Sequence, residues 1–137
     1  MRFSDGSSLR LDGIRVLVVD DEFDARYVTQ TVLEQEGASV VAAASARDAV
    51  ELLQRVRPDA LLSDLSMPGE DGFWLISQVR ALPAWCGGGT PAAAVTGHVT
   101  PNDRARVLRA GFQFHVPKPV DPDRLIGIVA KLTMKER

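Results

Sequence analysis

The most constraining feature of this sequence is an apolar run that stops on an acid. Residues 59–63 read Asp-Ala-Leu-Leu-Ser, Asp64 follows, and Met67-Pro68-Gly69 and Asp71-Gly72 lead into a helical pattern. A short apolar run bounded by turn residues fits a strand buried on both faces, as in a parallel sheet. In such sheets ligands bind beyond the carboxyl ends of the strands. Asp64 is therefore a candidate functional group on position alone.

The same pattern recurs along the chain. Ile14–Val19 is continuous and β-branched and ends at Asp20-Asp21-Glu22. Ala38–Ala43 reads as a second strand, Ala92–Thr96 as a fourth ending on a hydroxyl, and Phe112–Val116 as a fifth, leading to Pro117-Lys118-Pro119. Helical spacing fills the gaps. Phe23–Glu36 carries Phe23, Tyr27, Val28, Val32 and Leu33 and is stopped by Gly37. Ser45 caps a second helix, with Asp48 three places on, which ends at Pro58. Phe73–Leu82 is a third, with Phe73, Ile76 and Val79 inward. Thr100-Pro101-Asn102-Asp103 opens a fourth, which stops at Gly111, and Asp121-Pro122 starts the last, striped by Leu125, Ile126, Val129 and Leu132. This alternation predicts an α/β domain, a parallel sheet with helices on both faces.

The domain is predicted over 13–134, between a flexible polar tail or linker at 1–12 and a short C-terminal tail at 135–137. Pro83–Thr90, with three successive glycines, reads as an irregular mobile loop; it lacks the Gly-Lys-Ser/Thr ending of a phosphate loop. Trp74 and Trp85 read as packing residues. A chain of 137 residues fits one core, and a net charge of −2 gives no overall pull toward nucleic acid or an anionic membrane. No apolar run approaches the roughly 20 residues that span a bilayer. The single cysteine, Cys86, excludes an internal disulfide and suits the cytoplasm. Arg104, Arg106, Arg109 and Arg124 are either a solvated face or a partner patch.

Parallel strands bring their carboxyl ends to one edge, so Asp20, Asp21, Asp64, Thr96 and Lys118 can converge. Three carboxylates at one site repel unless a proton or cation joins them. An all-oxygen set without a His/Cys cluster favours Mg²⁺ over Zn²⁺. A cation, a lysine and a hydroxyl suit an incoming phosphoryl group, and a carboxylate can attack phosphorus to form an acyl phosphate. Backbone N–H groups after Asp64, around Leu65 and Ser66, could hold the phosphoryl oxygens.

Val-Val-Asp-Asp-Glu at 18–22, Asp-Leu-Ser-Met-Pro-Gly-Glu-Asp-Gly at 64–72, Val-Thr-Gly at 95–97 and Pro-Lys-Pro at 117–119 together resemble the receiver domain of two-component response regulators, from Ile14 to about Thr133. The resemblance implies a flavodoxin-like (βα)5 three-layer sandwich with strand order 2-1-3-4-5. It implies that Asp64 is the phosphoacceptor. Asp21, Asp64 and the Ser66 carbonyl would bind Mg²⁺, with Asp20 acting through water. Lys118 would pair with the phosphoryl group, the Lys118–Pro119 bond would be cis, and Thr96 would bind a phosphoryl oxygen and report the change. The implied donor is a histidine kinase or a histidine phosphotransfer protein, and the implied switch surface is the fourth helix, fifth strand and fifth helix. A phosphorylation-dependent homodimer is a further implied partner; nucleic acid and membrane are not. Alone, such a domain is no enzyme beyond assisting its own phosphorylation and dephosphorylation. The chain is expected to be a stand-alone regulator, the receiver of a hybrid histidine kinase, or part of a longer regulator.

Three positions depart from the family pattern. His115 stands where an aromatic switch residue is usual; it is either an exposed strand-end histidine or a switch whose charge makes activation pH-sensitive near about pH 6–7. His98, like Ser66, sits two residues after a key position and is expected to tune hydrolysis of the acyl phosphate. Gly97 replaces a more usual Ala or Ser and is expected to loosen its loop. Two rival readings fit the residues less well. An aspartyl-phosphate phosphatase needs an acid two residues after its nucleophile, where this chain has Ser66. A degenerate receiver acting only as a binding module would not need the full polar set.

Overall fold

The computed structural model describes residues 10–97 and 100–134. Its elements alternate strictly: β1 (Arg15–Val19), α1 (Phe23–Gln35), β2 (Ser39–Ala43), α2 (Ala46–Val56), β3 (Ala60–Asp64), α3 (Gly72–Arg80), β4 (Ala92–Thr96), α4 (Pro101–Ala110), β5 (Phe114–Pro117) and α5 (Pro122–Leu132). All ladders are parallel and the sheet order is β2-β1-β3-β4-β5. The flavodoxin-like order implied by the resemblance is therefore the observed one.

The continuous apolar runs are explained by burial on both faces. Side chains alternate across a strand, so successive residues enter opposite cores. Leu17, Val19, Leu61, Ala92 and Ala94 pack under α2, α3 and α4 with Leu53, Ile76, Val79 and Val107. Val16, Val18, Leu62, Ala93, Val95 and Val116 enter the other core with Leu33, Leu125 and Val129 of α1 and α5. Every residue of β3 and β4 is buried, so these central strands hold the sheet edge rigidly.

Local chemistry fixes the helix starts. The Ser45 hydroxyl accepts from the Asp48 N–H, and Thr100 and Asp103 form a reciprocal capping box. α3 begins at Gly72, because the Asp71 carboxylate accepts from the Trp74 N–H at 2.9 Å. Gly72 is required sterically. A Cβ there would collide with the Asp64 carbonyl oxygen and come within 2.9 Å of Leu65 Cα. α3 is thus seated directly on the backbone at the end of β3.

Several sequence expectations need correction. The folded unit starts earlier than residue 13: Arg10–Gly13 form a turn, Leu11 is fully buried, and its N–H donates to the Glu36 carbonyl. Residues 1–9 and 135–137, the rest of the expected tails, lie outside the described residues. β5 begins at Phe114 because the Phe112 N–H still closes the end of α4 on the Val107 carbonyl. Trp85 is 73% exposed and does not pack. On α1, Phe23, Tyr27 and Val28 have helical spacing but face outward. The glycine-rich loop is a built turn. The Gly88 N–H donates to the Pro83 carbonyl, the Thr90 hydroxyl donates to the Gly87 carbonyl, and the Arg80 guanidinium donates to the Gly88, Thr90 and Gly111 carbonyls.

Gly72→Ala should lower stability by about 2–4 kcal/mol, because backbone rather than a mobile side chain blocks the methyl group. Urea unfolding of the variant measures this, and an unchanged midpoint would refute the steric account.

Candidate functional site

The register of the sheet sets the site. Asp64 ends β3 opposite Val95, Thr96 ends β4 opposite Pro117, and Lys118 follows directly. Asp20 leaves β1 with its N–H donating to the Ala43 carbonyl. Polar residues from four separate stretches of the sequence therefore meet at one edge. Asp20, Asp64 and Thr96 are buried there, and Asp21 is exposed.

The carboxylates form one cluster. Asp20, Asp21 and Asp64 each offer an oxygen, and these lie within 4.8 Å of one another. The Lys118 ammonium donates to Asp20 Oδ2 at 3.1 Å and stands 3.5 Å from Asp64 Oδ2. The other oxygens are aimed by backbone. Asp64 Oδ1 accepts from the Ser66 N–H at 3.3 Å, and Asp20 Oδ1 accepts from the Glu22 N–H at 2.9 Å. Above the cluster opens a cleft of about 410 Å³ lined by Asp21, Glu22, Asp64, Ser66, Thr96, Gly97 and Lys118.

The electrostatics are those of a strained anion beside a firm cation. Burial raises the Asp64 pKa above the ordinary 3.8, Lys118 pulls it back, and Asp20 pushes it up again, with a net rise. Burial pulls Lys118 down, but its hydrogen bond to Asp20 and the charges of Asp20 and Asp64 outweigh this, and its pKa rises. Lys118 is thus cationic at neutral pH, and Asp64 is a more basic and more nucleophilic carboxylate than a solvated one.

The matching family is the response regulator receiver domain, over residues 16–130. The chain belongs to this family. The receiver is 46% identical over 114 residues to an uncharacterized 14.6 kDa protein in the sodA1 3' region of Leptolyngbya boryana, covering 83% of this chain and 86% of that protein. It is 35% identical over 120 residues to the sensor protein GacS of Pseudomonas syringae, covering 87% of this chain but 13% of GacS. Among solved structures it is similar to the chemotaxis protein CheY4 of Vibrio cholerae, with TM-score 0.80 and 28% identity over 87% of this chain and 98% of that one. Receiver domains of two-component signalling take a phosphoryl group onto an aspartate, and relatives of this receiver are parts of hybrid histidine kinases.

The structure brings Asp20, Asp21, Asp64, Ser66, Thr96 and Lys118 together, and the Lys118–Pro119 bond is cis. His115 is placed elsewhere. It lies beyond Gly97 in a neighbouring groove, half-buried, and its buried Nε2 has no hydrogen-bond partner among the described residues. Burial, then Arg104 of α4 and Arg124 of α5, lower its pKa from the ordinary 6.5, which moves any pH response toward the acid side of that value. His98 lies outside the described residues. Arg26 escaped the sequence reading. Its guanidinium donates to the Asp20 carbonyl at 2.7 Å and lies over the Phe23 ring, fixing the turn that carries the acids. A contact to a backbone carbonyl leaves no sequence motif. Among the described residues no helix is long and apolar enough to cross a membrane.

The raised Asp64 pKa fixes two signs. Above pH 3.8 the unfolded chain releases a proton that folded Asp64 retains, so its contribution to stability falls as pH rises through this window. Asp64→Asn should therefore raise the thermal midpoint at neutral pH in metal-free buffer; an unchanged or lower midpoint would contradict the strained-anion account. For His115 the sign is opposite. Below pH 6.5 the unfolded chain gains a proton that folded His115 resists, so stability falls with falling pH. His115→Phe should remove that component when urea midpoints at about pH 7 and about pH 5.5 are compared.

Proposed function

We propose that this receiver takes a phosphoryl group from a partner phosphohistidine onto Asp64 in a Mg²⁺-dependent reaction. The supporting observation is the Lys118 ammonium held between two buried carboxylates, 3.1 Å from Asp20 and 3.5 Å from Asp64. Its cleft is open to a donor side chain, and its donor set is all oxygen.

The residues fit a hard divalent ion. Asp20, Asp21 and Asp64, clustered within 4.8 Å, and the Ser66 carbonyl would hold Mg²⁺, with Asp20 acting through water. The ion, when bound, neutralises carboxylate and phosphoryl charge. The chain does the rest. An Asp64 carboxylate oxygen forms a bond to phosphorus as the bond from phosphorus to the donor imidazole nitrogen breaks, and a solvent proton satisfies that nitrogen. Lys118 draws charge from the phosphoryl oxygens, and the Ser66 N–H steadies Asp64 during attack. Afterwards Lys118 and the Thr96 hydroxyl hold the phosphoryl group.

Thr96 reports that change to α4, β5 and α5, the surface read by a downstream partner, with His115 as a member of that surface. Ser66 and His98 tune how fast water removes the phosphoryl group. The donor is a histidine kinase or a histidine phosphotransfer protein. The setting is the cytoplasm, a homodimer on phosphorylation is one form the switch takes, and the domain by itself turns over no substrate other than its own acyl phosphate. Position 66 is Ser, which leaves an aspartyl-phosphate phosphatase without its acid.

Acetyl phosphate with Mg²⁺ should retard the wild-type chain on a phosphate-affinity gel, and Asp64→Asn should abolish the retardation. Lys118→Ala should lose most of the beryllofluoride-induced chemical-shift change in α4 and β5. Retardation that survives Asp64→Asn or is independent of Mg²⁺ would overturn the proposal and favour a phosphorylation-independent binding module.

A further inference from the structure

Asp20 is held at every polar atom it has. Its N–H donates to the Ala43 carbonyl at 3.2 Å, Oδ1 accepts from the Glu22 N–H at 2.9 Å, Oδ2 accepts from Lys118 at 3.1 Å, and its carbonyl accepts from Arg26 Nη1 at 2.7 Å. Asp21, the next residue, is exposed, and its carboxylate has no hydrogen-bond or ion-pair partner among the described residues. Yet one of its oxygens lies within 4.8 Å of oxygens of Asp20 and Asp64. The backbone therefore places it. The Asp20 carbonyl and the Asp21 N–H belong to one planar peptide unit, so fixing that carbonyl fixes the plane from which Asp21 departs. The start of α1 offers no substitute. α2, α3, α4 and α5 each have an N-cap side chain that accepts from a backbone N–H, but Glu22, the N-cap of α1, makes no such bond. Arg26 closes this turn instead: its own N–H donates to the Glu22 carbonyl at 3.0 Å while its guanidinium reaches the Asp20 carbonyl. The guanidinium is itself seated. Its carbon lies 5.5 Å from the centroid of the Phe23 ring, and Phe23 stacks on Tyr27 with centroids 5.8 Å apart. These rings are 65% and 58% exposed, so core burial does not account for them, whereas a flat cation over a ring face does.

We infer that Arg26, seated on the Phe23–Tyr27 pair, is a positioning residue for the cation site: it holds the Asp20 carbonyl and so presets the Asp21 carboxylate to ligate a divalent ion. The inference rests on the receiver reading only for the choice of Mg²⁺ as that ion. Arg26 does not line the cleft, so it acts through Asp20 and Asp21 and not on the reacting atoms. The sign of the effect separates this role from a simple charge effect. A fixed cation near the site repels a second one. A guanidinium acting only by charge would therefore weaken Mg²⁺ binding, and its removal would tighten it. A guanidinium acting by position strengthens binding, and its removal loosens it. Phe23 carries no charge, so a change in metal affinity on trimming its ring comes through the seat of Arg26.

The test is a magnesium chloride titration of the isotope-labelled full chain at constant ionic strength, followed by the amide shifts of Asp20, Asp21, Glu22 and Asp64. Arg26→Met keeps the aliphatic stem and removes the donors, and it should raise the Mg²⁺ Kd about tenfold, the usual scale for losing a group that orients a metal ligand. Arg26→Lys, which keeps the charge and a donor, should recover part of that loss. Phe23→Leu, at an exposed position, should raise the Kd about threefold, the scale of one exposed cation–π contact. A merely structural contact would lower the urea midpoint of Arg26→Met and leave its Mg²⁺ Kd as in wild type; that result, or tighter binding, would overturn the inference. Should Arg26→Met fail to fold, Phe23→Leu decides, and an unchanged Kd there overturns it. Acetyl phosphate treatment of wild type keeps the two readings apart. If wild type is phosphorylated on Asp64 and all variants bind Mg²⁺ alike, the positioning inference falls and the receiver reading stands. If wild type binds Mg²⁺, the variants loosen it as stated and no phosphoryl group is accepted, the inference stands and the receiver reading falls. Wild type that binds no Mg²⁺ ends the inference as well.

Discussion

A lysine ammonium held 3.1 Å from one buried carboxylate and 3.5 Å from another is the interaction on which the sheet edge depends. Without a cation, Asp20 and Asp64 would face each other in a partly dehydrated pocket, and one would have to take up a proton. Lys118 resolves this only in part, since Asp64 still lies above its ordinary pKa. The site therefore keeps an appetite for positive charge, which suits an ion and then a phosphoryl group that Lys118 can partner. Residues arranged for that chemistry are not arranged for maximum stability.

The rest of the fold supplies rigidity around the strained group. β3 and β4 are buried throughout, and α3 sits on the Asp64 carbonyl at Gly72, so Asp64 cannot retreat from its neighbours. Arg80 ties the end of α3 to the loops before β4 and β5 through the carbonyls of Thr90 and Gly111. Arg26 does the same for the turn after β1. At the other side of Gly97 the charge reverses and the packing loosens, with Leu108 and the cations of α4 and α5 open to solvent. A rigid, anionic cleft and an open, cationic groove thus share one border residue.

How much of this could be read from the sequence follows from where the physics is local. Burial on both faces produces continuous apolar runs, so all five strands and the convergence of Asp20, Asp64, Thr96 and Lys118 were legible. Boundaries set by long-range contacts were not. Leu11 looks like part of a polar tail until its place beneath Glu36 is seen, and Phe112 looks like strand until it closes α4. Helical spacing on α1 identified the helix but not its buried side, because Phe23 and Tyr27 stack on each other outside the core. The arginines of α4 and α5 were visible as a basic set. Only the structure separates Arg104 and Arg124, which line the groove, from Arg106, which covers the Phe73 ring.

The central claim is that Asp64, among three clustered acids, is the one that becomes an acyl phosphate. Borohydride reduces an aspartyl phosphate to homoserine, so peptide mass spectrometry after borohydride treatment locates it. With acetyl phosphate and Mg²⁺ together, homoserine is expected at position 64 alone, and without Mg²⁺ it should be almost absent. Homoserine at position 20 or 21, or none at position 64 under conditions where the chain remains folded, would contradict the claim.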